Sequence, residues 1–589
     1  MSPGSPARLA TILVLLAAVP AAAAGPAGDP AQPFGPSPTV RSRRGVVSSA
    51  EAHASRAGAA VLADGGNAVD AAIATALALA VTYPEAGNVA GGGFAVVRTA
   101  DGRFYALDFR ETAPAGAWPG VFLGPDGRPR PSASLVGGLS VGTPGTPRGL
   151  EALHRKLGRL PWRRLAEPAI RLARDGFPVP YTLYADLGQN AGRLKPFPPT
   201  AAVFFPGGAP LAAGVILRQP ELAATLEAIA EQGADGFHRG PVARGVVDYV
   251  RATGGVLTEE DLALYEPVWR DPFTFDYGRW RIVTMPLPSA GGILLLSILG
   301  QLAAAPRDVS TLPADARVHL VAEAERRAYA DRNEFLADPD CVPVPLGRLL
   351  APARLAALGA SIDLERATPS ASIRAGSVSD GGPNTTHLSV ATAEGEAVSL
   401  TTTLNDTFGN GEIVPGVGVL LNNEMDDFAI TLGQPNLFGL VQSASNGVRA
   451  GARPVSSITP AIVLEDGKPR WVLGSPGGST IPTSVLQVFL NAGPLGLPLD
   501  AAVAAPRFHH QHLPDGIEVE RGVFPEALLA ALRARGHAVR EREPTKTWGR
   551  LGAVNAAGFE ADGTVVGVAD PRRSGRPASV EEALADRRP

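Results

Sequence analysis

The chain has 589 residues, 45% hydrophobic and 19% charged, which is enough apolar surface for a sizeable globular core. A net charge of −4 excludes a general nucleic-acid footprint. The single cysteine, Cys341, excludes an intrachain disulfide framework and a cysteine-rich zinc site.

Residues 1–24 have the layout of a secretory signal. Arg8 supplies the positive start, residues 9–19 (LATILVLLAAV) are apolar, and Pro20 with Ala22-x-Ala24 supplies the break and cleavage site. The apolar run is too short to span a bilayer, which takes about 20 residues. No cysteine follows the cleavage site to take a lipid. The protein is therefore expected to be exported, to periplasm or medium, with no membrane anchor after signal removal. Residues 25–40 are Pro/Gly-rich and expected to be disordered.

Ser48-x-x-Glu51 has the form of a capping box and predicts a helix over 50–63, ended by Gly65-Gly66. Asn67 then caps a second helix over 68–81, apolar on all sides apart from Asp70. Gly91-Gly92-Gly93 opens a strand over 94–98, and Asp101-Gly102 turns it back into 104–109. The stretch from about 145 to 365 is mostly helical in pattern. Residues 366–384 are small, polar and Gly/Pro-bearing, the composition of an exposed linker. From Thr386 the period changes to strands, paired as 386–391 with 398–403, 460–464 with 470–473, and 553–559 with 564–568. Each pair flanks a Glu-Gly or Asp-Gly turn. Helices are expected near 479–491 and 524–535. Antiparallel hairpins alternating with helix pairs imply layered α/β packing.

Two motifs look like chemistry without the context for it. Gly138-Leu139-Ser140-Val141-Gly142 fits a nucleophile elbow, but Pro144, Gly145 and Pro147 follow it and make it a loop. His509-His510-x-His512 has no acidic or cysteine partner at metal-ligand spacing. No phosphate loop is present, and no cofactor or metal is expected.

Asn384-Thr385-Thr386-His387 sits where the linker becomes a strand. Cutting before Thr385 would give an N-terminal residue with a hydroxyl nucleophile and its own base. An α-amine has a pKa of about 7.7–8.0, so a large share is neutral near working pH. Thr with its own N-terminal amine is a known activated nucleophile. Locally, Thr385 and Thr386 also fit ordinary β-branched strand positions.

A wider pattern decides between these readings. The segments Thr385-Thr386-His387, Thr401-Thr402-Thr403-Leu404-Asn405 and Leu421-Asn422-Asn423-Glu424-Met425-Asp426-Asp427 resemble the γ-glutamyltransferases (glutathione hydrolases). These are N-terminal nucleophile hydrolases. Gly65-Gly66-Asn67-Ala68-Val69-Asp70, Asp108-Phe109-Arg110-Glu111-Thr112, Pro288-Ser289-Ala290-Gly291-Gly292 and Arg327-Ala328-Tyr329-Ala330-Asp331-Arg332 extend the likeness. With Arg453-Pro454-Val455-Ser456-Ser457, Gly474-Ser475-Pro476-Gly477-Gly478-Ser479 and Pro506-Arg507-Phe508-His509-His510-Gln511 the likeness spans almost the whole mature chain.

The resemblance implies a four-layer αββα sandwich and a precursor that cuts itself at Asn384–Thr385. The large subunit would be 25–384, ordered from 41 with 366–384 as processing linker, and the catalytic small subunit 385–589. Thr385 would be the nucleophile, oriented by Thr403, with Gly477 and Gly478 N–H groups as the oxyanion hole. Arg110, Ser456 and Ser457 would hold the substrate α-carboxylate, and Asn405, Glu424 and Asp427 its α-ammonium. The substrates would be glutathione and other γ-glutamyl compounds, with water, amino acids or dipeptides as acceptors. Residues 433–441 resemble a lid over the site in bacterial members. Phe438 stands where a tyrosine is usual, so a phenol bond to Asn405 is missing. Two alternatives remain at this stage. One is a glutaryl or cephalosporin acylase on the same scaffold, against which the ammonium-binding Asp427 argues. The other is an exported γ-glutamyl binding protein without catalysis, against which Thr385, Thr403 and Gly477-Gly478 argue.

Overall fold

The computed structural model describes residues 34–130, 132–373, 385–543 and 551–587. Residues 1–24, expected to be a signal sequence, and Asn384 lie outside the described residues.

Alternation of side chains along the strands sorts the molecule into layers. The first seven strands of the two main sheets are β1 (Thr39–Ser42), β2 (Gly45–Ser49), β3 (Gly92–Arg98), β4 (Phe104–Asp108), β5 (Val268–Arg270), β6 (Phe273–Tyr277) and β7 (Trp280–Thr284). The next seven are β8 (Thr385–Thr392), β9 (Ala397–Thr403), β10 (Ala461–Glu465), β11 (Lys468–Leu473), β12 (Ala556–Phe559), β13 (Val565–Val568) and β14 (Ala578–Ser579). One sheet runs β1-β13-β12-β11-β10-β7-β6 and the other β14-β2-β8-β9-β3-β4-β5. Adjacent strands in both are antiparallel.

Helices α1 (Ala52–Ala63) and α2 (Ala68–Thr82) cover the second sheet. Ala54 of α1 and Leu79 of α2 share a core with Val47, Leu388, Val390, Val398 and Leu400. Helices α3 (Gly291–Ala303), α4 (Ala314–Phe335) and α5 (Ile481–Ala492) cover the first sheet. There Leu294, Leu320 and Leu486 pack with Ile282, Val463 and Trp471. A third core lies between the sheets, where Val46, Val96 and Ala391 meet Val283, Ile462 and Val472. The order of layers is α, β, β, α, as the resemblance implies. α2 is buried along its whole length, which explains a helix apolar on every side. Asn67 and Asp70 form a reciprocal capping box at its start.

The period of two places chemistry between the sheets. Leu388 and Val390 of β8 face the helices, whereas Thr385, His387, Ser389 and Ala391 face the other sheet. Opposite them on β9 stand Thr403, Thr401, Ser399 and Ala397. The inter-sheet layer is therefore a polar ladder at one end. His387 meets Thr401 at 2.8 Å and Ser389 at 3.0 Å, and Ser399 Oγ donates to the Leu473 carbonyl across the gap at 2.9 Å.

The structure departs from the sequence expectations in four places. Glu51, not Ser48, caps α1, because the Ser48 hydroxyl donates to Val568 O of the other sheet at 2.7 Å. Thr39 and Val40, expected in the disordered segment, pair with β13 as an edge strand. The helical middle contains β5 to β7, strands of three to five residues too short to show a period. In the linker, expected to be exposed, Ser370 is buried: its N–H donates to Asp515 at 2.8 Å and its hydroxyl to His512 O at 2.7 Å. Residues 374–384 lie outside the described ones.

Candidate active site

Thr385 is the first residue of β8 and pairs directly with Thr403, the last of β9. Their hydroxyls are 3.4 Å apart and both side chains are buried. Thr403 Oγ1 also accepts from the Asn405 N–H at 2.8 Å, where the chain turns with φ +73°. That turn points Asn405 back over the strand ends, with its Nδ2 donating to Asn423 O at 2.9 Å. Asn405 Oδ1 has no hydrogen-bond partner among the described residues.

Arg110 follows β4. Asp108 accepts its N–H at 2.9 Å and is itself held by Arg270 at 2.8 Å and Arg453 at 3.5 Å. The Arg110 guanidinium pairs with Glu424 at 2.5 Å and with Asp427 through its other terminal nitrogen. All three side chains are essentially buried. Burial works against the guanidinium's charge, but Glu424, Asp427 and Glu111 more than offset it and hold its pKa above the usual arginine value. Burial pushes the Glu424 and Asp427 carboxyls up, opposed in both by Arg110. Glu111, 3.7 Å from Arg110, is pushed up to about 7, again by burial. The resemblance implied one arginine at one end of the substrate and two acids at the other. In this structure the two sets pair with each other.

Gly477 (φ +141°) and Gly478 (φ +53°) open a 3₁₀ turn, Gly478–Thr480, ahead of α5. Neither N–H has a partner among the described residues. A Cβ on Gly477 would sit 2.5 Å from Thr480 Oγ1, so this position admits only glycine. Ser456 Oγ accepts from Ile458 N at 3.1 Å beside Ser457.

One cavity is bordered by Arg110, Thr385, Thr403, Asn405, Glu424, Asp427, Ser456, Ser457 and Gly478. Gly477 lies one residue behind it. Phe438 also borders the cavity, with no polar group to offer Asn405. Its segment is hooked down by Leu437 N donating to Asp426 at 2.7 Å and Asn436 Nδ2 donating to Asp427 at 3.2 Å. The free volume is about 10 Å³, room for roughly one water.

Three further side chains support the site without a local signal of their own. Glu111 adds a third carboxyl beside Arg110. Arg332 of α4 bonds Gln442 Oε1 at 2.9 Å, and Gln442 Nε2 donates to Asp427 O at 2.8 Å. Tyr329 of α4 donates its hydroxyl to Ser479 O, behind the glycine pair. All three stood inside quoted motifs, which was their only signal.

The remaining candidates lie apart from this cavity. Ser140 is buried in a turn and donates to Gly137 O at 2.6 Å. His509 is spent on Thr483 and Gln511, both at 2.9 Å, while His512 faces the Ser370 and Ile373 carbonyls. Cys341 is exposed, with Sγ 3.6 Å from Asp338. A buried trio, His319, Glu323 and His537, has ligand atoms within 4.8 Å of one another. Its partners are complete without an ion. Arg326 donates to His537 Nδ1 at 3.3 Å, His537 Nε2–H to His319 Nδ1 at 2.6 Å, and His319 Nε2–H to Asp363 O at 2.7 Å. Glu323 takes Arg327 at 2.7 Å, Arg326 at 3.2 Å and Thr368 N at 3.1 Å. Two imidazole nitrogens on one zinc would stand about 3.3 Å apart.

The αββα sandwich, with a threonine heading a central strand beside a charged pocket, matches the architecture of the N-terminal nucleophile hydrolases. Comparison with known proteins narrows this class. The family model described as gamma-glutamyltranspeptidase matches residues 54–580, and the chain belongs to that family. It is 43% identical over 535 residues to the glutathione hydrolase proenzyme of Escherichia coli (strain K12), covering 90% of this chain and 91% of the relative. The crystal structure of a cephalosporin acylase from Bacillus halodurans superposes with TM-score 0.79 at 27% identity, covering 92% of this chain and 96% of that one. The Helicobacter pylori gamma-glutamyltranspeptidase structure matches at 38% identity and TM-score 0.54, covering 55% of this chain and 93% of that one. Like its family, the protein is an enzyme of γ-glutamyl transfer and hydrolysis.

Proposed function

We propose that the chain is exported through residues 1–24 and cuts itself at Asn384–Thr385. Residues 25–384 and 385–589 then stay together as one enzyme. β8 and β9, on the small-subunit side, lie between β2 and β3 of the large one, which supports this permanence.

In the reaction, the Thr385 hydroxyl gives its proton to the new α-amine while its oxygen attacks the γ-carbonyl carbon of the donor. The oxyanion is met by the Gly477 and Gly478 N–H groups. Collapse breaks the C–N bond, and the leaving amine takes the proton from the ammonium. With glutathione the leaving amine is cysteinylglycine. Water or an acceptor amine then attacks the γ-glutamyl ester, releasing glutamate or a new γ-glutamyl amide and restoring the hydroxyl.

The observation that carries the substrate class is the Arg110–Glu424–Asp427 cluster. A zwitterionic α-amino acid can enter by exchange: its carboxylate takes over Arg110 and its ammonium takes over the acids. Charge stays balanced throughout, so no buried charge is left unpaired. Asn405 Oδ1 adds an acceptor for the ammonium. A glutaryl donor lacks the ammonium and would strand two buried carboxylates, which argues against the acylase reading. The deciding experiment compares γ-glutamyl- and glutaryl-p-nitroanilide, with N-terminal sequencing of the smaller band on a denaturing gel. A band beginning TTHLS and faster γ-glutamyl turnover are expected. An uncut chain, or faster glutaryl turnover, would sink the reading.

A further inference from the structure

The oxyanion loop is held from outside. Tyr329 sits on α4, within the large-subunit half, and is fully buried. Its hydroxyl donates to the carbonyl oxygen of Ser479, on the other side of the expected cut. Burial, with Glu325 next, keeps the phenol well above its usual pKa, so it remains a donor at every working pH. The ring is fixed edge-on to His509, with centroids 5.6 Å apart and planes at 88°.

Two planar peptides connect this phenol to the cavity. The Ser479 carbonyl shares a plane with the Thr480 N–H. That N–H donates to Gly477 O at 3.0 Å, and Thr480 Oγ1 donates to the same oxygen at 2.8 Å. The Gly477 carbonyl in turn shares a plane with the Gly478 N–H. Gly478 borders the cavity beside Thr385, and its N–H is unspent. Thus a line of donors and acceptors runs from the phenol to the proposed oxyanion donor. Hydrogen bonds in such a series polarise one another. The turn also needs a brace, because two consecutive glycines restrict the backbone least of all residues.

We propose that Tyr329 is a positioning residue: through the 479–480 and 477–478 peptides it orients and polarises the Gly478 N–H toward the oxyanion. This rests on the reading of Thr385 as nucleophile and of the Gly477–Gly478 amides as oxyanion donors. It also gives the large half a part in the chemistry of the small one.

The test is Tyr329→Phe in the full chain, which keeps the ring against His509 and removes only the hydroxyl. With γ-glutamyl-p-nitroanilide, kcat should fall about 10- to 100-fold with KM within about twofold, somewhat less than the loss of a direct oxyanion donor. A boronic acid analogue of the γ-glutamyl group, which forms a tetrahedral adduct on the nucleophile, should lose affinity by the same factor as kcat/KM. Inhibition by glutamate should not change. Self-cutting passes through an oxyanion as well, so a slowly cut or uncut variant with the wild-type melting midpoint also supports the proposal. A kcat within about twofold of wild type would overturn it. So would a kcat loss matched by weaker glutamate binding, or an uncut chain with a collapsed melting midpoint, since both report lost packing. Thr385→Ala in parallel separates the two layers. If that variant stays active, the nucleophile reading fails; if it is dead and Tyr329→Phe is normal, only the present inference fails.

Discussion

Two buried polar clusters in this protein look alike by composition and differ in what they leave unspent. Along the line from Arg326 through His537 to His319 every imidazole nitrogen has a partner, and the line ends on the Asp363 carbonyl. Burial lowers both histidine pKa values, His537 to about 4, so both are neutral at pH 7 and one assignment of tautomers satisfies every nitrogen. Around Thr385 the account does not close. Asn405 Oδ1 and the Gly477 and Gly478 amides have no partner among the described residues, and the Arg110 ion pairs are ones a zwitterion can take over. The saturated imidazoles act as a strut, whereas the unspent groups around Thr385 converge on one cavity.

The largest expected effect tests the site at its centre. Thr385→Ala should leave a single uncut chain with turnover at least about 10³-fold down, read by gel and p-nitroanilide assay. Arg110→Lys should come next. Lysine keeps the charge but cannot fork between two partners, so donor KM should rise about 10- to 100-fold with a smaller change in kcat. An unchanged KM would remove Arg110 from the donor site.

His537→Leu tests the strut. It strands His319 and Arg326, and stability should fall by about 1–3 kcal/mol, read by denaturant unfolding, with kcat of the matured enzyme unchanged. A selective loss of turnover would break the distinction between the clusters.

Asp426, which tethers the Phe438 segment, gives a smaller effect. Burial pushes its carboxyl up to about 7. The folded state therefore binds a proton between about pH 4 and 7 that the unfolded state has released, and this contribution to stability falls as pH rises through that window. Asp426→Asn mimics the protonated acid. Relative to wild type, its melting midpoint should gain a few degrees between pH 5 and pH 8; a constant difference would contradict the shift. Ser140→Ala should change neither cutting nor rate, because its hydroxyl only closes a turn.

The hairpins were legible because Asp-Gly and Glu-Gly turns are local chemistry: Glu394-Gly395, Asp466-Gly467 and Asp562-Gly563 all lie between strands paired as expected. α2 was legible because its cap and its all-round apolar surface need no partner to be recognised. The Ser48 cap failed because a strand 520 residues away offers the hydroxyl a better acceptor. Similarly, His319 and His537 are 218 residues apart and nothing local pairs them. The set of site residues came from motif resemblance, and periodicity alone would have left Arg110 a strand-end arginine and 424–427 a solvated acidic loop.

By itself, the sequence determined the turns, the caps that depend on near neighbours, and the family whose motifs it carries, since these reside in short runs of chain. Only the tertiary structure decided that Arg110 pairs with Glu424 and Asp427, that the histidine pair is saturated, and that Tyr329 braces the glycine turn. Each of these depends on which buried groups find partners across distant elements. Burial makes an unpaired group costly, and pairing is a property of the assembled layers.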